Sequence, residues 1–142
     1  MADLFQVRVA VRGYELDLQG HVNQAVYLQY GEHARWQCFL AAGLSPEVLV
    51  GAGVGPVVLE TTIRYLKELR AGDELDVSCR FLWSGGKTFQ VEQDYVRIDG
   101  TPVARVTGVA GLMDRATRRL VADPVEKLRE LATDVTYLGI DK

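Results

Sequence analysis

One stretch of this chain has a helical repeat, and almost everything around it alternates. Between Gln24 and Ala42 the apolar residues Val26, Tyr30, Ala34, Cys38 and Ala41 recur at three- and four-residue steps, which puts them on one face of a helix. Asn23 suits its N-cap and Gly43 its C′ position, bracketing a helix about 28 Å long at 1.5 Å per residue. Before it, Phe5, Val7, Val9 and Val11 alternate with Gln6, Arg8, Ala10 and Arg12 in a strand reading that extends to Tyr14. After it, Val57–Tyr65, Leu75–Trp83, Thr88–Ile98 and Val103–Met113 all read as strands. Ser84-Gly85-Gly86-Lys87 and Asp99-Gly100 supply hairpin turns. Ser45-Pro46 opens a short helix, and Pro124–Leu131 reads as a terminal one. A strand, one long helix and then four strands joined by hairpins cannot make a doubly wound parallel sheet, which needs alternating helices. The order predicts an α+β fold with one antiparallel sheet of about five strands curled around the helix.

The 142 residues make one domain, 1–142, with room for a real core. With 16 basic against 19 acidic residues the net charge is −3, the wrong sign for a nucleic-acid partner. The uncharged run Val48 to Leu59 is far short of a membrane span, so no membrane partner is expected. Met1-Ala2-Asp3-Leu4 has no basic and apolar leader pattern, and a cytoplasmic location is expected. Cys38 and Cys79 lie 41 residues apart with no CxxC pattern, so neither a zinc site nor a disulfide framework follows.

Several chemistries are absent from the sequence. None of Ser45, Ser78 and Ser84 sits in a G-x-S-x-G elbow, and there is no HExxH, Walker loop or EF-hand. Gly51-Ala52-Gly53-Val54-Gly55 has the wrong spacing for a dinucleotide fingerprint, and a strand follows it. The informative segment is Val11 to Tyr27, which delivers Asp17 in a glycine-containing turn just before the helix begins. The first N–H groups of a helix have no intrahelical partner, and its dipole is positive there. If Asn23 caps the N–H of Ala25 or Val26, that of Gln24 stays free to hold a carbonyl oxygen that becomes an oxyanion.

The motif Asp17-x-x-Gly20-His21-Val22-Asn23-x-x-x-Tyr27, with Glu32-x-Ala34-Arg35-Trp36 after it, resembles the 4-hydroxybenzoyl-CoA thioesterase family of hotdog-fold proteins. It is most similar to the FadM-type long-chain acyl-CoA thioesterases. The resemblance covers most of the chain. It implies a thioesterase that hydrolyses acyl-CoA, or acyl-carrier-protein, thioesters to acid and thiol, with no cofactor beyond water as co-substrate and no metal. The sites would sit at the interface of a homodimer or homotetramer. On this resemblance Asp17 is the catalytic carboxylate, as nucleophile or general base, and Gln24 provides the backbone oxyanion donor. His21, Asn23 and Tyr27 fall beside the substrate. Glu60, Thr61 and Thr62 would line the site from the partner subunit, and Lys87 and Thr88 fall where relatives contact the phosphates of CoA. Two departures stand out. Glu60 occupies a place where relatives carry a small or amide side chain, and Gly85-Gly86 replaces a more basic turn.

Each residue also has a plainer reading. Asp17 is a common turn residue, His21 a structural imidazole at a helix start, Asn23 a cap, and Tyr27 and Tyr30 core residues. Glu32 is a rival carboxylate, although Arg35 three residues on suggests an i,i+3 ion pair. The Arg115–Arg119 cluster reads as a solvated turn or a phosphate contact. Two functional alternatives remain open: a non-catalytic acyl-thioester-binding hotdog protein, and a dehydratase built around His21.

Overall fold

The computed structural model describes residues 4–141; the leader reading of Met1-Ala2-Asp3 lies outside them. Five strands form one antiparallel sheet: β1 Phe5–Ala10, β2 Val54–Tyr65, β3 Glu74–Trp83, β4 Thr88–Arg97 and β5 Pro102–Asp114. Their order is β1-β3-β4-β5-β2. The helix α1, Gln24–Ala41, lies against the sheet, followed by the short α2, Pro46–Gly51, and later α3, Pro124–Leu131. This is the helix-in-sheet architecture that the element order predicts. No helix among the described residues is long and apolar enough to cross a membrane.

Helix α1 buries Tyr27, Tyr30, Gly31, Ala34, Cys38 and Phe39, a stripe at steps of three, four and one that faces the sheet along its whole length. Two apolar clusters lie under it. One surrounds its first half, with Val9, Leu69, Leu75, Val77, Tyr95 and Val103. The other surrounds its second half, with Leu44, Leu49, Phe81, Phe89, Leu112 and Leu128. A 3-10 turn at Val135–Leu138 closes the second cluster. There Trp83 Nε1 donates to the Leu138 carbonyl at 2.7 Å, and Cys38 Sγ donates to that of Tyr137 at 3.2 Å. The sequence pattern did not mark this turn, because its buried residues Val135 and Leu138 are too few to set a period.

Two boundaries differ from the sequence reading by more than one residue. Strand β1 stops at Ala10 rather than Tyr14, and a 3-10 turn occupies Gly13–Glu15. The Arg12 N–H donates to Glu15 Oε1 at 2.8 Å, and this local bond holds the chain out of the ladder. Strand β2 starts at Val54, three residues early, and its alternation breaks at a bulge between Val58 and Glu60. Val58 therefore sits opposite Ala110, while Thr61 sits opposite Gly108. Directly opposed residues share a face, so Thr61, Ile63 and Tyr65 face α1, as does Val58. Glu60, opposite Val109, and Thr62, opposite Thr107, face the other way.

The helix approaches the sheet closely at Gly31. A Cβ there would collide with the Tyr95 hydroxyl, which donates to the Tyr27 carbonyl at 2.6 Å. Neighbouring Gln93, wholly buried, donates from Nε2 to the Gly31 carbonyl at 2.9 Å. Gly31→Ala should therefore lower stability by about 1–3 kcal/mol in urea denaturation, overpacking outweighing the helix propensity gained. An increase in stability would contradict this close approach.

Candidate active site

The segment between β1 and α1 is fixed at both ends. The N–H of Asn23 donates to the Glu15 carbonyl at 2.8 Å and that of Val22 to the Leu69 carbonyl at 2.8 Å, while Leu16 bridges Val22. Between them Asp17 closes a tight turn on itself. Its N–H donates to the His21 carbonyl at 2.7 Å, and the Gly20 N–H donates to the Asp17 carbonyl at 3.1 Å. Gly20 has φ +77°, the left-handed conformation that a side chain would oppose. Asp17 Oδ1 accepts from the N–H groups of Gln19 at 2.8 Å and His21 at 3.1 Å. No described donor reaches its Oδ2. The carboxylate is exposed, and the two backbone donors, helped by nearby His21, hold its pKa below the usual value. An ionised, solvated carboxylate with one oxygen uncommitted is the result.

The start of α1 is arranged as the cap argument requires. Asn23 Oδ1 accepts from the Ala25 N–H at 2.9 Å, and the Asn23 carbonyl accepts from Val26 at 2.9 Å. No described residue accepts from the Gln24 N–H. A free donor at the positive end of an 18-residue helix suits an oxygen that gains negative charge. The Tyr65 hydroxyl donates to the Gln24 carbonyl at 3.0 Å, tying the end of β2 to this helix start. Tyr27 is buried beneath, its ring 5.1 Å from that of Tyr65 in an edge contact, and so packs in the core. His21 is half-buried at the turn.

The remaining candidates lie elsewhere in this chain. Lys87 ends the β3–β4 turn, and Thr88 sits opposite Gly111, which in turn is opposite Val57. Tyr65, beside Gln24, is eight residues from Val57 along β2, about 26 Å at the rise of a strand. One chain therefore separates Lys87 and Thr88 from Asp17 and Gln24 by the length of the sheet. The Arg115–Arg119 cluster shares the Lys87 end, beside a cleft of about 700 Å³ that Arg119 and Lys127 line. The expected Glu32–Arg35 ion pair is not formed, because Arg35 Nη1 donates instead to Gln93 Oε1 at 3.1 Å. Neither cysteine suits a nucleophile. Both are buried, and the Cys38 thiol, together with burial, raises the Cys79 pKa. Among the described residues, no three His, Cys, Asp or Glu side chains group as a metal would need.

Sequence reasoning missed Glu15. It is 8% exposed and accepts from the Tyr30 hydroxyl at 2.7 Å as well as from the Arg12 backbone. Burial and this carboxylate together raise the Tyr30 pKa. Glu15 thus fastens the loop that carries Asp17 to the second turn of α1. Its signal in the sequence was an acid three residues after Arg12, the spacing of a capping pair. Glu15→Ala should cost about 2–3 kcal/mol, because it strands a buried hydroxyl and an N–H. Asn23→Ala should cost about 1 kcal/mol, the loss of a cap. Equal losses in thermal or urea unfolding would contradict that ranking.

Residues 11–131 match the Thioesterase-like superfamily. The chain is 28% identical over 119 residues to the acyl-acyl carrier protein thioesterase ATL3, chloroplastic, of Arabidopsis thaliana, covering 83% of this chain and 63% of that one. It is 32% identical over 83 residues to the long-chain acyl-CoA thioesterase FadM of Escherichia coli, covering 58% of this chain and 62% of the relative. Among solved structures, the YbaW probable thioesterase from Escherichia coli superposes with a TM-score of 0.78 at 28% identity, covering 89% of this chain and 94% of that one. The chain spans about three-fifths of the length of the curated plant relatives it matches. The match is to the broad superfamily, with FadM among the relatives, and not to the 4-hydroxybenzoyl-CoA group in particular. The sheet wrapped on one helix is the hotdog fold, and with Asp17 and the Gln24 N–H inside the matched region, the chain belongs to the Thioesterase-like superfamily.

Proposed function

We propose that this protein hydrolyses acyl thioesters of CoA, or of an acyl carrier protein, in the cytoplasm, to a free acid and a thiol. The observation that carries this reading is the unaccepted Gln24 N–H at the start of α1, following a turn that leaves Asp17 Oδ2 free. The thioester carbonyl oxygen would accept from the Gln24 N–H, which favours the charge that develops on it. As a nucleophile, Asp17 Oδ2 attacks the carbonyl carbon, the C–S bond breaks to expel thiolate, and water hydrolyses the mixed anhydride. As a general base, Asp17 takes a proton from the water that attacks. Either role needs the ionised carboxylate, which its backbone donors favour. One such oxyanion donor is typically worth about 2.7–4 kcal/mol of transition-state stabilisation.

The longer of the sheet's two open edges supports a homodimer in which each site draws on both chains. Strand β2 is the edge next to β5, with Val58 and Leu59 about half exposed, and an unpaired edge of that length templates pairing with another strand. Pairing of β2 with its own copy along its full length would set Val54 of one chain opposite Tyr65 of the other. That register carries the Lys87–Thr88 end of one chain to the Asp17–Gln24 end of its partner. Thr61 would then face the substrate from β2. Glu60 and Thr62 lie on the opposite face, which weakens the idea of Glu60 as a second carboxylate at the thioester. The same pairing, repeated back to back, allows a tetramer.

Thiol release from acyl-CoAs and acyl-carrier-protein thioesters of graded length tests the reading, with wild type beside Asp17→Ala and Asp17→Asn. Turnover with a chain-length optimum should fall at least about a thousandfold in both variants, with the unfolding midpoint of Asp17→Asn close to wild type because its amide oxygen can still accept from the Gln19 and His21 N–H groups. Turnover that survives in both would remove Asp17 from the reaction. Binding of acyl-CoA with no turnover by any form would favour the non-catalytic alternative.

A further inference from the structure

Among the described arginines, Arg35 and Arg97 are half-buried and the others exposed. Arg97 pairs with Asp99 at 3.0 Å. Arg35 has no carboxylate within ion-pair distance among the described residues; its one side-chain bond goes to the neutral Gln93. Gln93 is itself buried and locked to the Gly31 carbonyl, so the guanidinium is held in place by an oriented amide. A half-buried charge without a counter-ion is costly to maintain. It also retains N–H donors beyond the one that Gln93 accepts.

Arg35 lines a cavity of about 480 Å³ between the second half of α1, α2 and the sheet, a volume in the range of small-molecule sites. Its floor is apolar, with Phe39, Leu49, Phe81 and Phe89. Glu32 and Arg35, one helical turn apart, stand on its wall. An apolar chamber with an acceptor and a donor on one side fits a chain that carries a neutral oxygen. On that wall Glu32 offsets the charge of Arg35, which suits a neutral oxygen better than a carboxylate, although Arg115 also lines the cavity; a plain hydrocarbon would leave the guanidinium desolvated and unmatched. The cavity also borders Val54–Val58 on β2, the segment that the proposed pairing brings to the partner's helix start.

We propose that Arg35 selects acyl groups bearing a hydroxyl or oxo oxygen along the chain. This rests on the thioesterase reading above. The guanidinium donates to that oxygen, and where it is a hydroxyl its proton is directed at Glu32. Arg35 takes no part in breaking the thioester.

The test compares dodecanoyl-CoA with hydroxy- and oxo-dodecanoyl-CoAs substituted at successive carbons, in wild type, Arg35→Met and Arg35→Lys. In parallel, calorimetry measures binding of the matching S-alkyl-CoA thioethers, which cannot be hydrolysed. The wild type should favour one oxygen position about 10–100-fold in kcat/KM and in Kd, as a site built to hydrogen-bond its ligand does. Arg35→Met should bring that ratio near one, and Arg35→Lys, which keeps charge without the planar fork, should fall between. An Arg35 that merely braces the helix would lower the unfolding midpoint and leave the ratio as in wild type, which would overturn the proposal. So would a wild type with no preference for oxygen. If no thioester is hydrolysed while the thioethers still discriminate through Arg35, the thioesterase reading fails and this one stands.

Discussion

Everything that resembles chemistry in this protein depends on the N–H groups that open α1, which the helix itself cannot satisfy. Asn23 takes one and its own carbonyl another, and the donor left over is that of Gln24. A different cap would change which donor remains. The loop before the helix is built around the same constraint, because Glu15 and Leu69 fix its backbone and Asp17 spends one oxygen on the turn while keeping the other. On the proposed reading, a fixed backbone donor and one carboxylate carry the chemistry. This explains how a chain without a serine elbow or an accessible thiol can be a member of a hydrolase superfamily.

A second constraint is the sheet's unfinished edge. Five strands curl far enough to cover one helix, but β2 keeps half its backbone groups and several apolar side chains in water. The same asymmetry divides the recognisable residues between two ends of the sheet about 26 Å apart. Edge pairing with a second copy would resolve both conditions at once. Folding, assembly and site construction would then be one event, and the pocket beside Arg35 would be shared between chains.

How much of this was legible in the sequence follows from the range of each interaction. The strand and helix periods are local, as are the Asp17 turn and the Asn23 cap, and each is spelled out within its own stretch of chain. The bulge at Leu59 was not readable, since it depends on how β2 pairs with β5 at Val109 and Ala110, and it decides that Thr61 and not Glu60 faces the helix. The Arg35–Gln93 bond spans 58 residues and displaced an ion pair that helical spacing alone had suggested. Glu15 was hidden for a similar reason, because its hydroxyl partner Tyr30 lies on the far side of the loop it secures.

The shared site is tested most directly by mixing two inactive chains, one carrying Asp17→Asn and the other Lys87→Glu. If each site takes its carboxylate from one chain and its Lys87 end from the other, every hybrid dimer regains one intact site. Random mixing of equal amounts should then restore about a quarter of wild-type activity. A mixture no more active than its components would show that each site is completed within a single chain, and would contradict the account.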